Sequence, residues 1–392
     1  MIALITTTRR RSLHTEPSGY IYSLDLDENK VLRRSYNIEP PHREADKNVR
    51  GGLRGSKGIA VRNDQIALSN YSAVFRFDPD WNYLGGITHP SCAGIHDILF
   101  QGDTIWLTGS RADLLMQFDL SGNLLRYFYM RQPSPANEAL NWKPPIQLQS
   151  EGILDGQIDF RDPRTHDDSF DSAHVNSICI LPDGEIFVSL GFILAREYNT
   201  LLQIKKWLIE RGVWLKFLNL NRKMRGFLWL KDAPSDLVFH PTKSRAAVMR
   251  VSFNGAHSLC LAFSDIIVPS HSLLRLVDDT VIYLNTSTGE VVNFEPYEGK
   301  ILSETKVTDG FLRGVTALSD NLLIMGSRGE LIKFDRERKA VTERITISDD
   351  PSEAIYDIKI LPPHYSLPPV NFIVPQYTDL HKDHEIAMSD MR

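Results

Sequence analysis

Gly58-Ile-Ala-Val-Arg-Asn-Asp-Gln-Ile-Ala-Leu-Ser, followed by Val74-Phe-Arg-Phe-Asp, holds three short apolar runs separated by polar turns. Asp97-Ile-Leu-Phe-Gln-Gly-Asp-Thr-Ile-Trp-Leu-Thr, followed by Leu115-Met-Gln-Phe-Asp-Leu-Ser-Gly-Asn, matches it strand for strand. The scheme returns at Leu273 to Leu284 with Glu290-Val-Val-Asn-Phe, and at Val315 to Met325 with Glu330-Leu-Ile-Lys-Phe-Asp. Units of roughly 40 residues with about four short strands each are the signature of a propeller blade. Asp and Gly fall at the turns, where side-chain capping or positive φ is needed.

The count predicts an all-β, six-bladed β-propeller. Blades two and three occupy 57–88 and 94–130, and blades five and six occupy 271–307 and 312–347. Blade four begins at His174, with its last two strands near 246–251 and 258–263. The remaining strand patterns lie at opposite ends of the chain. Ile355 to Pro362 reads as a first strand, with Ala3 to Thr7, Tyr20 to Leu26 and Val31 to Tyr36 as the next three. One blade shared by the N- and C-termini therefore closes the ring. The expected domain is 1–375, with 376–392 as a C-terminal tail.

Two insertions interrupt the repeat. The first, 132–171, is rich in Pro and Asp and reads as an irregular loop between blades three and four. The second, 193–245, separates the second and third strands of blade four. In a four-stranded meander both connections emerge on the face from which the innermost strands enter the ring. Long loops on a rigid scaffold are where function tends to sit. The second insertion carries Trp207, Trp214 and Trp229 among Lys205, Lys206, Arg211, Lys216, Arg222, Lys223, Arg225 and Lys231, and 200–218 reads as an amphipathic helix. Segment 193–231 is expected to pack on the propeller, or else to meet a membrane surface, dock a protein partner or cover the pocket.

The composition excludes several classes. At 42% hydrophobic and 24% charged, the 392 residues suit a soluble globular chain. Forty-four basic against 49 acidic side chains give a net charge of -5, so a general nucleic-acid binder is not expected. Cys92, Cys179 and Cys260 show no paired or zinc-binding spacing. The first residues lack a basic segment ahead of a short apolar run, and the chain is read as cytoplasmic. Phosphate-loop, dinucleotide, zinc-protease and EF-hand motifs are missing. Asp167-Asp168-Ser169-Phe170-Asp171 lacks the glycine and distal glutamate of a calcium loop and reads as a solvated acidic loop.

Chemistry-bearing residues collect at the starts of the innermost strands: Lys57, His96-Asp97, His174 with Asn176, His271, Arg313 and Tyr356-Asp357. Imidazoles converging on a propeller axis would suit a divalent metal ion held by His96, His174 and His271. They would equally suit a small anionic or aromatic substrate, with Arg as the planar fork and His as nucleophile or proton carrier. Aligned on the following turn, His96, Asn176, Lys57 and Tyr356 share one position and His174 lies two residues earlier. His271 and Arg313 fall one residue out of phase, so they reach the axis only where the strand is irregular or bulged.

Ala173-His174-Val175-Asn176-Ser177-Ile178, with Gly94-Ile95-His96-Asp97-Ile98 and Ser270-His271-Ser272, resembles the bacterial arylsulfate sulfotransferases. The resemblance implies a six-bladed propeller whose central histidines and arginine handle a sulfuryl group. It assigns His174 and Asn176 to orienting that group and His96 or His271 to nucleophilic or acid/base work. Arg313 would neutralise developing charge, with Arg111 and Arg196 as the other candidates for the family's arginine. Lys57, Asp97, Arg111, Tyr356 and Asp357 would line the substrate. The three-histidine theme also resembles metal-dependent propeller lyases such as the peptidylglycine amidating lyase.

Overall fold

The computed structural model describes residues 1–46, 52–132, 134–140, 142, 159–164, 171–193, 211, 244–252 and 257–375. Their strands form six four-stranded antiparallel sheets, a six-bladed β-propeller. Blade one runs from Glu353–Leu361 at the axis through Ile2–Arg9 and Tyr20–Asp25 to Lys30–Tyr36 at the rim. Both ends of the chain thus meet in one sheet. The other innermost strands are Ile59–Val61, Ile98–Gln101, Val175–Ile180, His271–Arg275 and Leu312–Ala317. In blade four, Ile186–Ile193 pairs with Arg245–Val251, and His257–Phe263 forms the rim. The helix expected within 200–218, the tryptophans of that insertion and the 376–392 tail lie outside the described residues.

Burial follows position in the blade. Two of the second strands, Ile66–Ser69 and Val281–Asn285, are buried at every residue, because a neighbouring blade covers each face. The rim strands Lys30–Tyr36 and Ala340–Thr346 alternate between exposed and half-buried positions over most of their length, since one face meets water. The apolar side chains divide into six clusters, one at each interface between blades. Phe75 and Phe77 of blade two pack with Leu4 and Ile21 of blade one. Ile355 and Ile358 pack with Ile324 and Leu331 of blade six.

The ring is also braced at the axis. An Asp357 carboxylate oxygen accepts the Ile59 N–H of blade two at 2.9 Å. Asp97 of blade three accepts the Ile178 N–H of blade four at 2.9 Å and the Ser177 hydroxyl at 2.8 Å. The Ser177 oxygen accepts the Leu273 N–H of blade five at 2.8 Å, and Ser272 accepts the Gly314 N–H of blade six at 2.9 Å. The two remaining interfaces have glycine at the equivalent position. A Cβ on Gly58 would lie 3.1 Å from the Asp97 Cα, and one on Gly314 2.9 Å from the Asp357 Cα. Removing the Asp97 carboxylate strands the buried Ile178 N–H, a loss of about 1–3 kcal/mol. Asp97→Ala is therefore expected to lower the thermal midpoint, measured by calorimetry. An unchanged midpoint would show that the carboxylate does not brace the ring.

Two expectations about the first insertion need correction. Pro135–Ala139 forms a short helix capped by Ser134, and Ala136, Leu140 and Trp142 join the core between blades three and four. The segment is loop by composition, but its apolar residues find a cleft at a blade interface. Asp171 is also not a solvated residue of an acidic loop: its side chain is 22% exposed and bonded to His174. No helix of the described residues is long and apolar enough to cross a membrane.

Candidate functional site

Four innermost strands carry a one-residue bulge near the axis, at Asn176, Ser272, Gly314 and Tyr356, where the register with the second strand shifts. The bulge lies two residues before the aligned apolar position in blades four and one, and one residue before it in blades five and six. His271 and Arg313, out of phase when the strands are aligned on their turns, each lie directly before such a bulge. The backbone is irregular here too: φ is 74° at Ser272, 64° at Gly314 and 52° at His174, in the left-handed region. Three such residues at one site are consistent with a backbone shaped around it.

His96, His174 and His271 meet at the axis, with one ring nitrogen from each lying within 4.8 Å of the other two. Their ring centroids are 4.5 Å apart for His96 and His174, 5.4 Å for His96 and His271, and 5.7 Å for His174 and His271. Each ring is held differently. His96 Nδ1 is hydrogen-bonded to the Tyr356 hydroxyl. His174 Nδ1 pairs with Asp171 Oδ2 at 2.9 Å. His271 Nε2 is buried with no hydrogen-bond partner. His96 and His271 are pushed well below the ordinary histidine pKa, first by burial and then by nearby cations, Lys57 foremost for His96 and Arg313 for His271. Both are neutral imidazoles at pH 7, the form that ligates metals or attacks electrophiles.

Cations and aromatic rings surround the histidines. Lys57 is 4% exposed and Arg313 9% exposed. Burial, with Arg54, Arg111 and Arg313 beyond it, brings Lys57 down to about 7, and burial chiefly brings Arg313 down to about 9. Tyr356 lies within reach of both, its ring centroid 5.9 Å from Lys57 Nζ and 5.4 Å from the Arg313 guanidinium carbon. Burial also raises the Tyr356 hydroxyl well above the usual tyrosine value. Asp171 stays below the usual carboxylate range: burial opposes its charge, but His174, Arg111 and Arg131 outweigh burial.

The other residues singled out in the sequence have more structural duties. The Asn176 amide donates to the Ser270 carbonyl, leaving its buried oxygen unpartnered. Asp97 and Asp357 border the axial cavity with Lys359, but their carboxylates hold neighbouring blades. Arg111 Nε donates to the Tyr71 hydroxyl at 2.9 Å, and Arg196 lies outside the described residues. Sequence reasoning missed Asp171 as a histidine partner, although its spacing three residues before His174 was available. It also missed Asp113, whose carboxylate accepts the Ser172 and Ala173 N–H groups and fixes the chain entering His174. Tyr71, Arg54, Arg10 and Phe311 carried no signal, because each sits outside the regular strands.

No protein-family model and no curated protein sequence matches this chain. Among solved structures, a chain of the nidogen–laminin complex superposes with a TM-score of 0.50 at 9% identity, covering 91% of this chain and 97% of that one. A Bacteroides caccae protein of unknown function gives 0.51 at 11% identity, with the same coverage of both chains. Virginiamycin B lyase from Staphylococcus aureus gives 0.43 at 11% identity, covering 76% of this chain and 71% of that one. At these identities the likeness shows the propeller fold alone. The resemblance to sulfotransferases rests on its three short motifs.

Proposed function

We propose that the protein is an enzyme whose axial pocket uses a divalent metal ion held by His96, His174 and His271. The observation that carries this reading is the pattern of nitrogens. Tyr356 takes Nδ1 of His96 and Asp171 takes Nδ1 of His174, leaving Nε2 as the available ligand atom of each, while His271 Nε2 is buried and unsatisfied. A carboxylate on the far nitrogen of a ligating histidine is a common way to fix its tautomer and raise its basicity. An orphaned buried imidazole nitrogen costs stability unless something fills its place. Three converging histidines with open positions suit catalytic zinc or a related ion.

When bound, such an ion acts as a Lewis acid and lowers the pKa of a coordinated water, which suits elimination or hydrolysis. The chain supplies the rest. Burial of His96, His271 and Tyr356 restricts water around the reacting atoms. Asp171 holds the His174 ring in one orientation.

The expected result is about one equivalent of metal per chain by elemental mass spectrometry, reduced severalfold or more in His174→Ala and in His271→Ala. A folded wild-type chain that takes up no zinc, manganese, cobalt or nickel on incubation would overturn the reading. The unpartnered His271 Nε2 also supports a second reading, sulfuryl transfer through histidine as nucleophile. In that case metal-free protein would release a phenol from an aryl sulfate, and His271→Ala would not.

A further inference from the structure

Around the axial pocket, on the side away from blades four and five, cations and aromatic rings alternate. Arg10 lies 4.8 Å from the Phe311 centroid and Arg313 lies 4.9 Å from the same ring. Arg313 then approaches Tyr356, and Lys57 lies between Tyr356 and Tyr71, 5.6 Å from the latter. Arg111 closes the series through the Tyr71 hydroxyl. The belt draws on blades six, one, two and three, whereas the histidines come from blades three, four and five.

Lys57 and Arg313 are its innermost members. Among the described residues neither has a carboxylate within ion-pair distance, and Arg313 Nε is buried without any hydrogen-bond partner. Aromatic faces position a cation without neutralising it. A positive charge buried in such a pocket costs free energy until a counter-charge arrives. The acidic group that acts on Lys57 is Asp171, which is bonded to His174 on the blade-four side.

We propose that Lys57 and Arg313 form an anion subsite for the substrate. The ligand is a small molecule bearing a carboxylate, sulfate or phosphate group, held by the ammonium and the planar guanidinium while its reacting part faces the histidines. Tyr356 stands between the two halves: its ring lies against both cations and its hydroxyl bonds His96. An anchored group across the pocket from the reacting bond gives the orientation that speeds an intramolecular-like step. The inference rests on the axial pocket being where substrate binds, and it stands whether or not the histidines hold metal.

Titration calorimetry of the full chain with inorganic sulfate, inorganic phosphate and acetate, in chloride-free buffer, tests it. Saturable binding of at least one anion is expected, weakened about tenfold or more in Lys57→Met and in Arg313→Met. The His96→Ala/His174→Ala/His271→Ala variant should retain that binding. Arg313→Lys serves if Arg313→Met does not fold, and should weaken binding in the same direction. No saturable binding of any of the three anions by folded wild type, or wild-type affinity in both methionine variants, would overturn the subsite. Metal content measured on the same samples separates the two claims. Metal without anion binding removes the subsite alone, and anion binding without metal removes the metal reading alone.

Discussion

A chain ending at Ser352 is expected to lose cooperative folding altogether, although it keeps five blades and most of the sixth. The missing strand, Glu353–Leu361, is the innermost of blade one, paired along its length with Ile2–Arg9. Ile355, Ile358 and Leu361 are buried in the clusters on both sides of that blade, so two interfaces lose their central residues. The Asp357 brace to blade two goes with them. In a closed ring every blade face is covered by a neighbour, and opening it exposes an apolar face at each side of the gap. A chain ending at Leu361 isolates the effect of the strand. It loses only the following strap, in which the Ser366 carbonyl accepts the Trp81 indole N–H at 2.7 Å and Phe372 packs on Phe77 and Trp81. That shorter cut should melt at a lower temperature but cooperatively. A sharp calorimetric transition and native near-ultraviolet circular dichroism in the chain ending at Ser352 would refute the role assigned to the shared blade.

The second large effect is expected from Asp113. Its carboxylate is fully buried and bonded to the Arg131 Nε at 2.6 Å, with side-chain exposures of 0% and 1%. It also accepts the Ser172 hydroxyl and the Ser172 and Ala173 N–H groups. Asp113→Ala leaves a buried guanidinium without its counter-charge and removes acceptors from the segment leading to His174. Breaking one side of such a pair costs about 3–5 kcal/mol. Asp113 also sits at φ 50°, which aspartate tolerates better than alanine, so the replacement adds backbone strain. Asp113→Asn keeps that tolerance and some acceptor capacity, and should recover part of the loss. Chemical denaturation measures both variants. The metal reading adds a second readout: both should bind metal more weakly, because Asp171 and His174 flank the Ser172–Ala173 segment that Asp113 holds. An Asp113→Ala protein within about 1 kcal/mol of wild type would contradict the assignment, since ordinary surface changes fall inside that range.

The blades were legible because strand alternation, turn residues and a 40-residue period all reflect local chemistry. Ile59–Val61, Ile98–Gln101 and their counterparts lie where the apolar pattern put them. The closing blade was legible for the same reason: Ile355 to Pro362 had strand character and no partner nearby in the chain. His96, His174 and His271 were legible as candidates from their place at strand starts, and the structure brings all three together. Duties within the set were harder to read. Asp97 and Asp357 bear acidic groups at the axis, yet each satisfies an N–H of the next blade. No pattern along one strand announces a bond to another sheet.

By itself, then, the sequence determined the number of blades, their order and the ring closure, because each depends on contacts between residues near in the chain or on a repeated period. Only the tertiary structure decided which side chains face the axis. Alignment on the turns left His271 and Arg313 out of phase, and in the structure each lies directly before a bulge, at Ser272 and Gly314. A bulge forms where adjacent blades leave room for an extra residue and where a left-handed backbone is tolerated. That balance is struck between sheets, and no single strand encodes it.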